Sequence, residues 1–145
     1  MQARLDPWKV APDLMGAMLE MEKTAAGAGL EYSLYELVKT RASQINGCAY
    51  CLHMHTTDAR KAGESEMRLY LLNAWRESSL YTPRERAALA WTESLTLVSE
   101  QYASDDVYEA LCQQFSERER VALTLAITTI NAWNRIAIGF RSQHP

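Results

Sequence analysis

Apolar residues recur at helical spacing along almost the whole chain, and no other feature of the sequence constrains the fold as strongly. Residues three and four positions apart lie on the same side of a helix, so this spacing gives each helix one apolar face to bury. No segment alternates apolar and polar residues between turn signals, as a half-buried strand would. The sequence therefore predicts an all-α fold.

Start and stop signals divide this pattern into about six to seven helices. Segments 82–85 and 116–119 each place a hydroxyl residue three positions before a glutamate, which is the form of a helix capping box. The pair Asn46-Gly47 ends one helix, and the next begins at once near Cys48. The predicted helices span about 13–26, 31–45, 48–63, 65–76, 82–99, 104–115 and 116–140, after an irregular start.

Length and composition predict a single domain covering residues 1–145. The chain has 145 residues, of which 48% are hydrophobic and 23% are charged, and this is enough material for one core. The last predicted helix is apolar on more than one side, and a monomer of this size can rarely cover such a helix. We therefore expect a homo-oligomer.

Charge and hydropathy exclude several classes of partner. The net charge is -3, so the chain offers no basic surface for nucleic acid or for an anionic membrane. The first ten residues include three charged side chains and no apolar run typical of a signal peptide. The longest uncharged stretch, 121–134, is shorter than the ~20 residues that a membrane span needs. We expect a cytoplasmic protein without a nucleic-acid or membrane partner.

The most informative motif is a close pair of cysteines followed by a histidine. Cys48 and Cys51 form a C-x-x-C pattern at the predicted start of a helix, and His55 follows one turn later. On a helix the three side chains lie within about one third of the circumference, so they can meet. A helix N-terminus favours a thiolate, and an imidazole four residues further on can accept or deliver a proton. These residues predict a dithiol redox site.

The residues leave several alternatives open. The helix dipole favours Cys48 as the attacking thiol, whereas the spacing to His55 favours Cys51; we take Cys51 as the attacking thiol and Cys48 as the resolving one. A zinc site with His53 as fourth ligand is one rival, but His53 faces away from the other three and the set is poorly tetrahedral. Buried structural cysteines are another rival. Cys112, the unpaired cysteine, is expected to be a small core residue.

Several segments resemble a known family. Segment 36–51 reads ELVKTRASQINGCAYC and is continued by His55 and by ARKAG at 59–63; it resembles the alkyl hydroperoxidase AhpD-like core of the carboxymuconolactone decarboxylase family. The shared motif is Glu36, eleven residues, the C-x-x-C pair and a histidine four positions further on. Weaker matches at 74–78, 85–93 and 130–135 extend the resemblance to most of the chain.

The resemblance implies an all-helical subunit that assembles into trimers or hexamers. It also implies that the two cysteines cycle between dithiol and disulfide while a small peroxide is reduced, with an external thiol as reductant and no metal or organic cofactor. The residues matching Glu36 and His55 relay protons in that family. Helical projection alone places Glu36 on a solvated face, so its place in the site rests on the resemblance.

The sequence departs from the family pattern at one position and favours one activity over others. Better-known peroxidase members carry a histidine between the cysteines, where this chain has Tyr50, a group that is neutral at pH 7 and a poor base. Strict decarboxylases of the family act on a lactone acid without a C-x-x-C pair, so the cysteines argue against that activity. A thiol-dependent peroxidase or disulfide reductase is the leading hypothesis. The alternatives are a dithiol partner or redox sensor, and a metal-binding structural protein.

Overall fold

The computed structural model describes residues 2–145 and confirms the all-α prediction, since this range contains nine α-helices and no strand. A single 3₁₀ turn, Leu72–Ala74, follows the fifth helix. The helices are α1 (Pro7–Val10), α2 (Pro12–Ala26), α3 (Tyr32–Asn46), α4 (Ala49–Lys61), α5 (Glu66–Tyr70), α6 (Pro83–Thr96), α7 (Val98–Gln101), α8 (Asp105–Gln114) and α9 (Glu117–Phe140).

The structure has more helices than the predicted six to seven because short helices such as α1 and α7 contain too few residues to show an apolar periodicity. Helix α1 lies in the segment predicted to be irregular, where Asp6 accepts a hydrogen bond of 3.1 Å from the Trp8 amide and Pro7 presets the first turn. The predicted helix 82–99 is divided at Leu97 into α6 and α7. Both predicted capping boxes are present, at the starts of α6 and α9.

Helix α3 is the central element of the bundle, because α4, α6 and α9 all pack against it. One part of the core joins α3 to α6, α8 and α9, and a second part brings the C-x-x-C pair against α9. Each fully buried leucine or isoleucine contributes about 1.5–3 kcal/mol relative to an exposed one. The main core includes Leu34, Val38, Ala88, Leu111, Leu123 and Ile127, and the second cluster includes Ala42, Cys48, Cys51 and Ile130.

Helix α9 is long and apolar enough to cross a membrane by length and composition, and it is the one such helix in residues 2–145. The core helix of a soluble protein meets the same criteria. Helix α9 packs against α2, α3, α4 and α6, and its residues Leu123, Ala126, Ile127 and Ile130 are 0–1% exposed. Burial in the bundle therefore explains part of its apolar character, whereas Val121 and Ile138 are 70% and 45% exposed.

The turn between α3 and α4 depends on a glycine. Gly47 ends α3 with φ 68°, in the left-handed region, and the next residue caps α4. We expect Gly47→Ala to lower the free energy of unfolding by about 1–2 kcal/mol, because a Cβ disfavours this backbone conformation. Gly16→Ala, in α2 with open space around its added Cβ, should raise it by about 0.5–1 kcal/mol. Urea unfolding measures both, and equal effects of the two substitutions would contradict this account.

Candidate dithiol active site

The two cysteines lie at the first turn of α4 with their sulfur atoms together. Cys48 is the N-cap residue, and its Sγ accepts a hydrogen bond of 3.4 Å from the Cys51 amide. The two Sγ atoms are 2.6 Å apart, both thiols are free, and each residue is 1% exposed. A disulfide requires an S–S distance of about 2.05 Å, so the pair can close one with a small movement and no refolding of the turn.

The close contact makes the two thiols titrate as a pair. The hydrogen bond from Cys51 lowers the pKa of Cys48 to about 7; burial opposes this shift, and the Cys51 and Tyr50 amides and Asn134 assist it. The same contact, together with burial, raises the pKa of Cys51. The pair therefore gives up one proton near neutral pH and keeps the second one to a higher pH.

A buried carboxylate holds the histidine beside this pair. Glu36 Oε2 lies 2.9 Å from His55 Nδ1, and the two residues are 4% and 3% exposed. His55 Nε2 is buried and has no hydrogen-bond partner within residues 2–145. An imidazole whose Nδ1 faces a carboxylate is oriented by it and keeps its other nitrogen for proton transfer.

The prediction from helical projection that Glu36 is solvated is wrong, since the residue is 4% exposed. Helix α4 runs back along α3 and covers the side of α3 that carries this carboxylate, so the residue is buried against His55. Projection assigns a polar residue to solvent whenever it lies opposite the main apolar stripe. It cannot register a second helix packing on that side.

Amide side chains from α9 support the cysteine turn. Asn134, which is 0% exposed, donates a hydrogen bond of 3.0 Å to Ser43 Oγ and accepts one of 2.8 Å from Asn46 Nδ2. Asn134 also acts to lower the pKa of both cysteines. No role for Asn134 was predicted from the sequence. The signal that could have identified it is the spacing, since Asn134 follows Ile130 by four residues and Ile127 by seven and so lies on the same apolar side of its helix.

A cavity of about 560 Å³ opens onto this site. Cys51, His55, Glu36 and Tyr50 line it, whereas Cys48 does not. Most of the remaining wall is apolar and comes from the N-terminal segment, α2, α4 and α9: Leu5, Pro7, Trp8, Met15, Leu19, Met54, Trp133 and Ile136. A small organic molecule in this cavity would meet the sulfur of Cys51 before that of Cys48.

Comparison with known proteins places the chain in a family. The sequence profile of the carboxymuconolactone decarboxylase family matches residues 12–94, more than half of the chain, including α2 to α5 and most of α6. The chain belongs to the carboxymuconolactone decarboxylase family. All four predicted site residues, Glu36, Cys48, Cys51 and His55, lie within the matched range.

Relatives of this family member cover its full length. The uncharacterized protein YdfG of Bacillus subtilis is 43% identical over 143 residues, which are 99% of this chain and 97% of that protein. A crystal structure of an Agrobacterium tumefaciens protein of unknown function, suggested to be the antioxidant defence protein AhpD, has a TM-score of 0.97 at 45% identity and 99% coverage of both chains. The resemblance to the AhpD-like core is thereby confirmed.

A more distant solved structure shares the fold alone. An uncharacterized peroxidase-related protein from a Silicibacter species has a TM-score of 0.78 at 22% identity, and the match covers 89% of this chain and 69% of that one.

His53, the fourth ligand of the zinc alternative, does not lie with the cysteine pair. His53 is exposed, as its helical position predicted, and stacks on His144 with ring centroids 5.4 Å apart. Among residues 2–145, no group of three or more His, Cys, Asp or Glu side chains is arranged to hold a metal ion. The geometry of the cysteine turn therefore offers no support for the zinc alternative.

The expectation that Cys112 is a core residue is wrong. Cys112 is exposed on α8, and its Sγ lies 2.8 Å from Arg120 Nη1. Helix α8 buries the side that carries Leu111, and Phe115 follows the helix into the same core. A cysteine next to a fully buried leucine in a helix points about 100° away from it, which here means toward solvent.

The cavity wall also contains an ion pair that the sequence did not predict, between Lys39 and Glu22. Lys39, 4% exposed, is bonded to Glu22, and both residues line the cavity. Glu22 also accepts hydrogen bonds of 2.8 Å from Tyr35 and 3.1 Å from Trp133. The pair joins α2 to α3, so no spacing within one helix could have identified it.

Proposed function

We propose that this protein is a thiol-dependent peroxidase of the AhpD-like type, which reduces small organic hydroperoxides or hydrogen peroxide through the Cys48–Cys51 pair. The observation that carries the proposal is the contact of the two sulfurs at 2.6 Å, together with a histidine that is held by a carboxylate and lines the same cavity as Cys51. Family membership and the likeness to the Agrobacterium protein support a peroxide-related role.

The proposed reaction starts from two thiols. His55 takes the proton of Cys51, whose thiolate attacks the terminal oxygen of the hydroperoxide; the O–O bond breaks, and the alkoxide leaves with the proton held by His55. Cys48 then attacks the Cys51 sulfenic acid, the disulfide forms, and water leaves. Two thiols and one hydroperoxide thus give a disulfide, an alcohol and water. An external dithiol returns the site to its reduced form by thiol–disulfide exchange.

Access to the sulfurs favours a small molecule over a protein as the oxidising substrate. Both cysteines are 1% exposed, and Cys51 faces a cavity whose wall is largely apolar. A cysteine of a folded partner protein could reach neither sulfur without opening this region, whereas a hydroperoxide of a few carbon atoms fits the volume. The cavity thus supports the peroxidase reading over partner exchange or redox sensing.

We also propose that the protein is a homo-oligomer in the cytoplasm. Large apolar side chains are exposed on α1, α2 and α9, including Val10 at 63%, Leu14 at 66% and Val121 at 70%. Exposed apolar side chains of this kind are typical of subunit contacts. They support a homo-oligomer, which by resemblance to the family would be a trimer or hexamer. A cytoplasmic location is part of the same proposal.

Thiol titration before and after one equivalent of hydroperoxide tests the proposed function. The reduced chain has three free thiols. We expect the loss of two of them, and mass spectrometry of the digested protein should locate the new bond between Cys48 and Cys51. Cys112→Ser is the matched control and should go from two thiols to none. Retention of all thiols, or a bond through Cys112 in the unsubstituted protein, would refute the proposal.

A further inference from the structure

Lys39 is a buried cation in the wall of the active-site cavity. Its side chain is bonded to Glu22, and its Nζ lies 4.5 Å from the centre of the Tyr35 ring, on the face that attracts cations. Burying a charge is unfavourable unless it is paired, and apolar replacements of a buried ion pair are often as stable or more stable. Stability alone therefore does not explain why α3 carries a lysine here.

The charges around the cavity are unequal in number. Four carboxylates line it: Asp6, Glu22, Glu36 and Asp58. Lys39 is the one lysine or arginine among its lining residues in the described range 2–145. Glu36 is occupied by His55, and Asp58 has Lys61 Nζ at 3.8 Å on the outer side of α4. Lys39, paired with Glu22, is therefore the lysine that lines the space into which Cys51 opens.

Glu22 fixes the position of this charge. Burial raises the pKa of Glu22, but hydrogen bonds from Lys39, Tyr35 and Trp133 outweigh it and leave the pKa below its usual value. The carboxylate thus stays ionised and holds Lys39 from α2, while Tyr35 and Trp133 hold the carboxylate from α3 and α9. The lysine is anchored on three helices.

We propose that Lys39 is a positioning residue that draws the negative charge of the thiol pair onto Cys51, the sulfur that the substrate meets. This inference rests on the proposed function. The N-cap position favours the charge on Cys48, which does not line the cavity, so a positive charge on the cavity side would assist His55 in placing the thiolate on Cys51. The hydrogen bond with Cys48, burial and the negative charge of Cys48 raise the pKa of Cys51, whereas the Asn134 side chain and the charge of Lys39 act in the opposite direction.

The division of charge between the sulfurs can be measured by alkylation. The reduced protein is treated with limiting iodoacetamide at pH 7, and mass spectrometry gives the ratio of labelled Cys51 to labelled Cys48, with exposed Cys112 as internal standard. We expect Lys39→Met to lower this ratio roughly threefold to tenfold, since it removes the attractive charge. Lys39→Arg should keep the ratio within about twofold of the unsubstituted protein. Lys23→Met, which removes a 69% exposed lysine from α2, is the matched control and should change nothing.

A second variant keeps the test decisive even if Lys39→Met does not fold. Glu22→Gln keeps an acceptor for Tyr35 and Trp133 but removes the negative charge that partly cancels Lys39, so the Cys51 to Cys48 ratio should rise. An unchanged or lower ratio in Glu22→Gln, or a Lys39→Met ratio equal to that of Lys23→Met, would overturn the inference. The alkylation ratio does not require peroxide turnover. An inactive protein with the expected ratios would therefore refute the peroxidase function and leave the role of Lys39 standing.

Discussion

Replacing Cys51 by serine is expected to reduce dithiol-dependent peroxide consumption to the uncatalysed background. A serine hydroxyl is far less acidic than a thiol and does not attack a peroxide oxygen, so the first step is lost. Cys48→Ser should behave differently. It keeps the first step, and in an assay without external thiol it consumes one equivalent of peroxide per chain and then stops, because the Cys51 sulfenic acid has no resolving thiol. Continuous peroxide consumption and trapping of the sulfenic acid with a nucleophilic reagent distinguish the two variants.

The structure provides good controls for this experiment. Serine is a favoured N-cap residue, so Cys48→Ser should preserve the start of α4. Cys112→Ser alters an exposed thiol on α8, outside the cavity lining, and should keep full turnover. Full turnover in both Cys48→Ser and Cys51→Ser would disprove the dithiol mechanism. Sulfenic acid on Cys48 in a Cys51→Ser protein would instead reverse the assigned order of attack.

The largest expected effect on stability comes from a buried carboxylate that takes no part in the redox site. Glu93 is 5% exposed on α6 and accepts hydrogen bonds of 2.9 Å from Arg41 Nε and 2.8 Å from Trp75 Nε1, and it is paired with Arg76. Removal of one member of a buried ion pair leaves the other charge uncompensated. We expect Glu93→Gln to lower the free energy of unfolding by about 3 kcal/mol, at the lower end for such pairs because Arg76 is 58% exposed.

The loss of stability caused by Glu93→Gln should depend on pH. Burial raises the pKa of Glu93, but hydrogen bonds from Trp75, Arg76 and Arg41 outweigh it and hold the pKa below its usual value. A carboxyl with a lowered pKa in the folded state stabilises the fold above its unfolded pKa of about 4.3, and this contribution is lost as the pH falls through the folded value. The difference between Glu93→Gln and the unsubstituted protein should therefore be full at pH 7 and shrink below about pH 4.

Chemical denaturation at several pH values measures this difference. Glu100→Gln, at an exposed position on α7, is the matched control and should change the stability by less than about 0.5 kcal/mol at every pH. A loss of stability in Glu93→Gln that stayed constant from pH 7 to pH 3 would show that the ionised carboxylate is not its source.

Local sequence patterns determined the fold class, the main helix boundaries and the centre of the site. Helical periodicity, the two capping boxes and the Asn46-Gly47 stop act within one or two turns of chain, and the structure has each of them. The spacing of Cys48, Cys51 and His55 on one helix likewise depends on helix geometry alone.

Only the tertiary structure decided what surrounds that centre. Whether Glu36 and Lys39 are solvated or buried depends on which helices pack on the second side of α3, and a periodicity within α3 carries no information about them. The cavity exists because α2, α4, α9 and the N-terminal segment meet around Cys51, and the exposure of Cys112 follows from the side that α8 turns to the core. The sequence by itself identified the close pair of cysteines. The carboxylate and the lysine near that pair are held in place only by contacts between residues distant in the chain, namely Glu36 with His55 and Lys39 with Glu22.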